Sequence, residues 1–251
     1  MRASVCIASY NGEKYIKEQI TSILLQLQDN DELIISDDSS TDNTLEIIES
    51  FNDPRIVVFK DQIFHSHVYN FEHALKHAKG DYFFLADQDD IWVPNKLETM
   101  LTLLEKYDLV LSDAIVIDEN EHILFNSFFT FNHSQKGLFK NLYKNSYLGC
   151  CMGFNRQLLE IALPFPKDIN MHDWWIGLIA EMYGTVYFSN EKLIKYRRHE
   201  NALTPIDRKS KNSFLKKIGF RLAMIKGLTL RVFNQTCIKY RKDSKQISEQ
   251  K

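Results

Sequence analysis

The sequence predicts an α/β protein, a mostly parallel central sheet flanked by helices with a C-terminal helical tail. Three observations predict it. Short apolar runs alternate with helical periodicities through roughly the first hundred residues. Polar and acidic turns follow several of those runs, at the strand ends where open α/β sheets place their ligands. Charge is also divided along the chain. Residues 206–251 hold 13 Lys and Arg against 3 Asp and Glu, whereas residues 1–205 hold 18 against 30. An acidic body with a basic tail implies that the tail meets something anionic. The expected organisation is a body over residues 1–205 and a basic amphipathic helical tail over residues 206–251.

The elements follow in order. Ser4 to Ser9 reads as a first strand ending in the polar turn Tyr10-Asn11-Gly12. Tyr15, Ile16, Ile20, Ile23, Leu24 and Leu27 then recur at three- and four-residue spacings, as one face of a helix. Glu32 to Ser36 is a second strand, followed by Asp37-Asp38-Ser39-Ser40-Thr41-Asp42, with Ser40 or Thr41 expected to cap the helix carrying Leu45, Ile47 and Ile48. Ile56 to Phe59 is a third strand and Phe71 to Ala78 a helix. Tyr82 to Ala86 is a buried strand that runs into Asp87-Gln88-Asp89-Asp90. Pro94 suits the first turn of the next helix. Asp108 to Asp113 is a further strand, and the stretch onward to about Ser146 is aromatic and irregular. Arg156 to Ala162 is helical, as is the segment from His172 to Tyr183, ending at Gly184 as a C-cap. Val186 to Phe188 and Leu193 to Tyr196 close the body.

Composition narrows the class. The chain has 251 residues, 44% hydrophobic and 25% charged, as in an ordinary globular protein. Cys6, Cys150, Cys151 and Cys237 form no CxxC pair, so reduced cysteines in a cytosolic protein without a zinc site are expected. Met1 to Ser4 leads straight into a strand, so no signal peptide is expected. No apolar stretch approaches the roughly 20 residues that span a bilayer. Neither GxGxxG nor GxxxxGK[ST] occurs, which argues against a dinucleotide fold and a P-loop NTPase.

Five constellations carry chemistry. Carboxylates crowded at residues 87–90 repel one another unless a hard divalent cation sits among them. Asp37-Asp38 exceeds what one helix cap needs, and a carboxylate there suits the imide N–H of a pyrimidine base. Ser9-Tyr10-Asn11-Gly12 offers backbone groups and an aromatic face to a nucleotide. In His172-Asp173-Trp174-Trp175, Asp173 is either a helix N-cap or a general base. Neighbouring tryptophans would raise its pKa by desolvation and stack on a sugar. An imidazole such as that of His199 is chemically reasonable next to a diphosphate-bound metal.

Taken in order, Ser9-Tyr10-Asn11-Gly12, Asp37 to Asp42, Gly80-Asp81-Tyr82, Asp87 to Trp92, His172 to Trp175 and Tyr196-Arg197-Arg198-His199 resemble family 2 glycosyltransferases. The resemblance covers about residues 3–203, and its details are similar to rhamnosyltransferase-like members that build bacterial surface polysaccharides. It implies the GT-A fold, a Rossmann-like nucleotide-binding half joined to an acceptor-binding half. It also implies inverting transfer from a nucleoside-diphosphate sugar with Mn²⁺ or Mg²⁺.

By position, the resemblance makes Asp38 the carboxylate that reads the base. Asp87, with Gln88, lies near the ribose or sugar. Asp89 is the metal ligand, His199 approaches the metal or diphosphate, and Asp173 is the base. The family commonly has Glu-Asp where this chain has His172-Asp173, and His172 is left without a role. The chain has no QxxRW motif, so processive polymerisation is not expected.

Donor contacts are expected from Ser9, Tyr10, Asn11, Asp38, Asp87 and Gln88. Acceptor contacts are expected from the aromatic 125–150 region with Gly149 and Cys150, and from Trp174 and Trp175. The expected donor is a dTDP- or UDP-sugar such as dTDP-rhamnose, and the acceptor is a glycan or lipid-linked glycan. The tail reads either as an interfacial helix on anionic lipid at the inner face of the cell membrane or as a packing or homodimer helix. No nucleic-acid partner is expected. The rival readings are a nucleotidyltransferase and a non-catalytic carbohydrate-binding relative.

Overall fold

The computed structural model describes residues 2–199 and 213–249, with side chains described as far as Phe233 apart from that of Phe214. The chain divides into two compact units: Met1–Phe165 with Met171–Ser210, and Pro166–Asn170 with Lys211–Lys251. The boundary expected at 205/206 lies outside the described residues.

The first unit is built on a single sheet. Its strands are β1 (Ala3–Ser9), β2 (Glu32–Asp37), β3 (Ile56–Phe59), β4 (Tyr82–Ala86), β5 (Ile91–Trp92), β6 (Leu109–Ile117), β7 (Ile123–Phe125), β8 (Met152–Asn155) and β9 (Val186–Arg197). They run in the order β3-β2-β1-β4-β8-β6-β9-β5, with β7 paired to β6. The half made of β3, β2, β1 and β4 is parallel throughout. Beyond β4, β8 lies antiparallel between β4 and β6, and β6 and β9 return to parallel pairing. β1 and β2 are buried along almost their whole length. That explains their continuous apolar runs, because a strand covered on both faces has no solvent side on which to place polar residues.

The helices are α1 (Ile16–Leu24), α2 (Thr44–Ser50), α3 (His67–His77), α4 (Lys96–Leu104), α5 (Phe128–Asn132), α6 (Leu138–Tyr143), α7 (Arg156–Ala162), α8 (His172–Tyr183) and α9 (Phe214–Glu249). In α1 the buried positions are Ile16, Gln19, Ile20 and Ile23, the expected face. Leu27 is buried just beyond the helix end.

Several expectations are corrected. The α2 N-cap is Asn43, not Ser40 or Thr41. Ser40 is occupied by Asp37 and Thr41 by Asn11. Residues 186–197 form one strand, with register shifts against β6 at Ser112–Ala114. The irregular aromatic stretch contains β7, α5 and α6.

In the second unit, α9 is 36 residues long. Met224 and Leu228 are buried, while Leu215, Ile218, Leu222 and Ile225 are exposed at helical spacing. Lys226 pairs with Asp168 at 2.9 Å. Among the described residues, no helix is long and apolar enough to cross a membrane.

Candidate active site

Parallel pairing brings the carboxyl ends of β1, β2 and β4 to one edge, and the loops there hold one another. Ser9 is paired with Asp37 in register. The Asp37 carboxylate accepts the Ser9 hydroxyl at 2.7 Å, the Ser40 N–H at 2.7 Å and the Ser40 hydroxyl at 2.6 Å. The Ser40 oxygen in turn accepts the Asn11 N–H at 2.8 Å, and the Asn11 side-chain oxygen accepts the Thr41 N–H at 2.8 Å. Asn11 adopts a left-handed backbone, φ 48°, which Asn tolerates better than most residues.

Asp38 accepts N–H groups of Phe64 at 2.6 Å, His65 at 3.2 Å and Ser66 at 3.1 Å. A carboxylate offers about four acceptor directions, so about one remains beyond these three bonds. Tyr10 is 54% exposed and offers its ring. Gln88 has a different position from the one expected. Its amide pairs both ways with the Tyr10 backbone, at 2.9 and 3.0 Å, bracing the loop after β4 against the loop after β1. A side chain on Gly12 would begin 2.5 Å from the Gln88 oxygen, so this brace requires glycine there.

The carboxylates after β4 are in a different state. Burial, followed by the charges of Asp89 and Asp173, pushes Asp87 up to about 8. Asp90 is 1% exposed. One of its oxygens accepts the Arg197 N–H at 2.8 Å, and the other has no partner among the described residues. Burial, then Asp89 and Asp87, push its carboxyl well above the usual range.

Asp89 meets His199, with Oδ2 and Nε2 2.8 Å apart, while its carbonyl accepts Arg197 Nε at 2.9 Å. Arg197 also reaches Glu18 at 2.7 Å and lies over the Tyr15 ring. Lys96 is fully buried, donates to the Cys150 carbonyl at 3.1 Å, and is pulled below its ordinary pKa by burial.

Asp173 sits in the first turn of α8, whose N-cap is Met171, so the N-cap reading of Asp173 is corrected. The tight 3-10 turn Gly149–Cys151 passes beside it. Asp173 Oδ2 accepts the Gly149 N–H at 3.2 Å and Oδ1 the Trp174 N–H at 2.6 Å. Burial raises its carboxyl to about 7 despite those bonds, which lower it. The same turn ties it to the acidic run, because Gly149 holds Asp173 and the Cys150 sulfur lies within 4.8 Å of carboxylate oxygens of Asp87 and Asp90.

The expected sugar-stacking tryptophans are corrected. Trp174 is buried with its indole N–H on the Asn141 carbonyl at 2.8 Å, and Trp175 is fully buried with its N–H on Ala162 at 2.9 Å. Both anchor α8 in the core and present no free face. Gly149 and Cys150 are also buried, and they border Asp173 and the acidic run rather than an open acceptor surface.

Two sets of side chains bear on a cation. Asp87, Asp90 and Cys150 bring three ligand atoms within 4.8 Å of one another. Burial pushes the Cys150 thiol well up, however, and a protonated thiol is a poor ligand for a hard ion. Asp89 Oδ2 and His199 Nε2 are hydrogen-bonded to each other at 2.8 Å, and an ion that replaced the shared proton would find an oxygen and an imidazole side by side. The Asp89 oxygen is a donor that suits Mn²⁺ and Mg²⁺.

Sequence reasoning gave no role to Lys96, and it named Asp37, Asp90 and Arg197 only within the Asp37-Asp38 pair, the 87–90 run and the Tyr196-Arg197-Arg198-His199 motif, without a role of their own.

Comparison with known proteins fits this architecture. The family model described as Glycosyl transferase family 2 matches residues 4–161. UDP-Glc:alpha-D-GlcNAc-diphosphoundecaprenol beta-1,3-glucosyltransferase WfgD of Escherichia coli is 32% identical over 68% of this chain and 67% of its own length. dTDP-rhamnosyl transferase RfbG of Shigella flexneri is 28% identical over 78% of this chain and 72% of its own. Among solved structures, S. aureus TarS 1–349 in complex with UDP-GlcNAc aligns with TM-score 0.68 at 21% identity, over 90% of this chain and 66% of that one. Mannosyltransferase PcManGT from Pyrobaculum calidifontis, in complex with GDP-Man and Mn²⁺, aligns with TM-score 0.62 at 20% identity, over 80% and 58%. The chain therefore spans less than two thirds of these solved chains, and the likeness to them concerns the fold. With the family model covering more than half of the sequence, the chain belongs to glycosyl transferase family 2 and has the GT-A fold.

Proposed function

We propose that this protein is a metal-assisted inverting glycosyltransferase that moves a sugar from a nucleoside diphosphate to a hydroxyl of a glycan or lipid-linked glycan. One observation carries the reading. Asp173, far away in sequence, accepts the Gly149 N–H, and the next residue, Cys150, brings its sulfur within 4.8 Å of carboxylate oxygens of Asp87 and Asp90 at the carboxyl end of β4. Asp173 takes the proton of the acceptor hydroxyl. The freed oxygen attacks the anomeric carbon as its bond to the diphosphate breaks, in one displacement with inversion. A base that titrates near neutrality suits that step.

Mn²⁺ or Mg²⁺, when bound, offsets charge on the leaving diphosphate. Asp89 and His199 would hold it, and Arg197 fixes both Asp89 and Asp90 from the backbone side. Tyr10 offers a ring to the base, and Asp38 offers its remaining acceptor direction to the base imide. Ser9, Asn11 and Gln88 shape that loop, and Asp87 faces the ribose or sugar. The names of the relatives make UDP-glucose and dTDP-rhamnose the first donors to test, and a diphospholipid-linked glycan the first acceptor.

Asp89→Asn tests the reading. It is expected to abolish metal-dependent nucleotide binding and to lower turnover by about 10³-fold or more, while the circular dichroism spectrum and melting stay those of the wild type. Undiminished transfer at matched Mn²⁺ would refute the assignment.

The tail is proposed to rest on anionic lipid at the inner face of the cell membrane. Its exposed Leu215, Ile218, Leu222 and Ile225 and its basic residues support this. Full-length protein is expected to sediment with phosphatidylglycerol vesicles at low salt and to be released by high salt. No binding at low salt would return α9 to a packing or homodimer role.

A further inference from the structure

Helix α8 opens with two buried polar residues, and only Asp173 has been given a role. His172 is 6% exposed, and neither of its ring nitrogens has a hydrogen-bond partner among the described residues. The ring is nonetheless held firmly. It stacks on Phe71 with centroids 4.1 Å apart, and the His67 ring lies 5.9 Å away at 65°. Its Nε2 edge faces Gly149. A methyl group built on Gly149 would lie 3.3 Å from Nε2 and 3.9 Å from Asp173 Oδ2. The imidazole edge and the candidate base therefore border the same small patch of backbone. Burial, with a contribution from His67, pushes His172 well below its ordinary pKa. At neutral pH the ring is uncharged, with one nitrogen donating and the other accepting.

We propose that His172 is a sugar-recognition residue whose Nε2 edge, beside Asp173 and over Gly149, hydrogen-bonds a hydroxyl of a sugar ring in the site. The proposal rests on the glycosyl-transfer reading above and deepens it. A hydroxyl both donates and accepts, so it satisfies either tautomer of a neutral imidazole. A phenylalanine in the same place would stack on Phe71 without leaving polar atoms buried and unpaired. Holding an unsatisfied imidazole where an aromatic hydrocarbon fits is a stability cost, of the kind that functional sites carry. A rigid neutral ring also discriminates, because a sugar lacking the hydroxyl leaves the nitrogen unpaired. That hydroxyl belongs either to the donor sugar or to the acceptor.

The test uses the full-length chain with His172→Phe and His172→Gln. In the donor arm, calorimetry with Mn²⁺ compares UDP-glucose, UDP-GlcNAc and dTDP-rhamnose with UDP and dTDP, which isolates what the sugar adds. In the acceptor arm, kcat and KM are measured on a synthetic GlcNAc-diphospholipid. His172→Phe is expected to melt above the wild type, to leave UDP and dTDP affinity unchanged, and to lose about tenfold or more in one arm. A loss in the donor arm assigns the hydroxyl to the donor sugar, and a loss in acceptor kcat/KM assigns it to the acceptor. His172→Gln, with a donor and an acceptor at its tip, is expected to recover part of the loss. If His172→Phe stays within about twofold of the wild type in both arms, the inference is overturned. A wild type that binds these donors but neither transfers nor hydrolyses them refutes the glycosyl-transfer reading instead, because the donor arm still reads His172. A wild type that binds none of them refutes both.

Discussion

The loops after β1 and β2 and the carboxylates after β4 lie at one edge of one sheet, yet they differ in how their polar groups are satisfied. The first region is closed on itself. Asp37 takes three donors, Asp38 takes three more, and Asn11, Ser40 and Thr41 link the two loops. The second region is left open. Asp90 keeps an orphan oxygen, His172 keeps two orphan nitrogens, and the Asp87 and Asp173 carboxyls titrate near neutrality. Satisfied loops give a preformed shelf that needs no ligand to hold its shape. Buried groups left unsatisfied cost stability and have reason to persist where a ligand engages them. Under the proposed function, the contrast separates the part of the site that positions from the part that reacts.

Mutations can break that contrast or sharpen it. The largest stability effect is expected in the closed region. Asp37→Ala strands the Ser9 and Ser40 donors and is expected to cost about 3 kcal/mol by urea denaturation. A loss below about 1 kcal/mol would mean that the shelf is not held by these bonds.

A smaller effect of opposite sign is expected in the open region. The folded pKa of Asp173, about 7, lies above its unfolded value, so burial favours the neutral carboxyl. Its contribution to stability is fully present below about pH 4 and is lost as pH rises through about 7. Asp173→Asn removes that loss but places an amide N–H against the Gly149 N–H. The variant is expected to be about 1–2 kcal/mol more stable than the wild type at pH 8 and no more stable at pH 5. Equal stability of the two proteins at both pH values would place Asp173 in a solvated environment and erase the difference between the regions.

The two regions were not equally legible in the sequence. The strand Tyr82–Ala86 was readable as a short aromatic run after the Gly80-Asp81 turn, whereas the acidic run after it fits a solvated turn or helix cap equally well until the other motifs are read with it. Family and fold followed from the order of the motifs. The neighbours of a side chain were not readable. Trp174 and Trp175 have the right chemistry for a sugar platform, but a helix start does not tell which way its aromatic residues point, and both point into the core. Gln88 sits inside the acidic motif, yet its amide is used by the Tyr10 backbone, nearly eighty residues earlier. Ser40 was a plausible helix cap by local rules, and Asp37 took it instead. Long-range bonds of this kind depend on which strands become neighbours, and no local pattern encodes that.

The role of Asp173 as the base is tested most directly by the pH dependence of kcat for sugar transfer, measured on the wild type and on Asp173→Asn with saturating donor and Mn²⁺. In the wild type, kcat is expected to fall on the acid side with an apparent pKa near 7, as the carboxyl takes up its proton. Asp173→Asn is expected to lose about 10²–10⁴-fold in kcat, to keep its donor affinity and to show no such limb. A variant that stays within a few fold of the wild type and keeps the same acid limb would contradict the assignment and leave Asp173 as a structural residue of the α8 first turn.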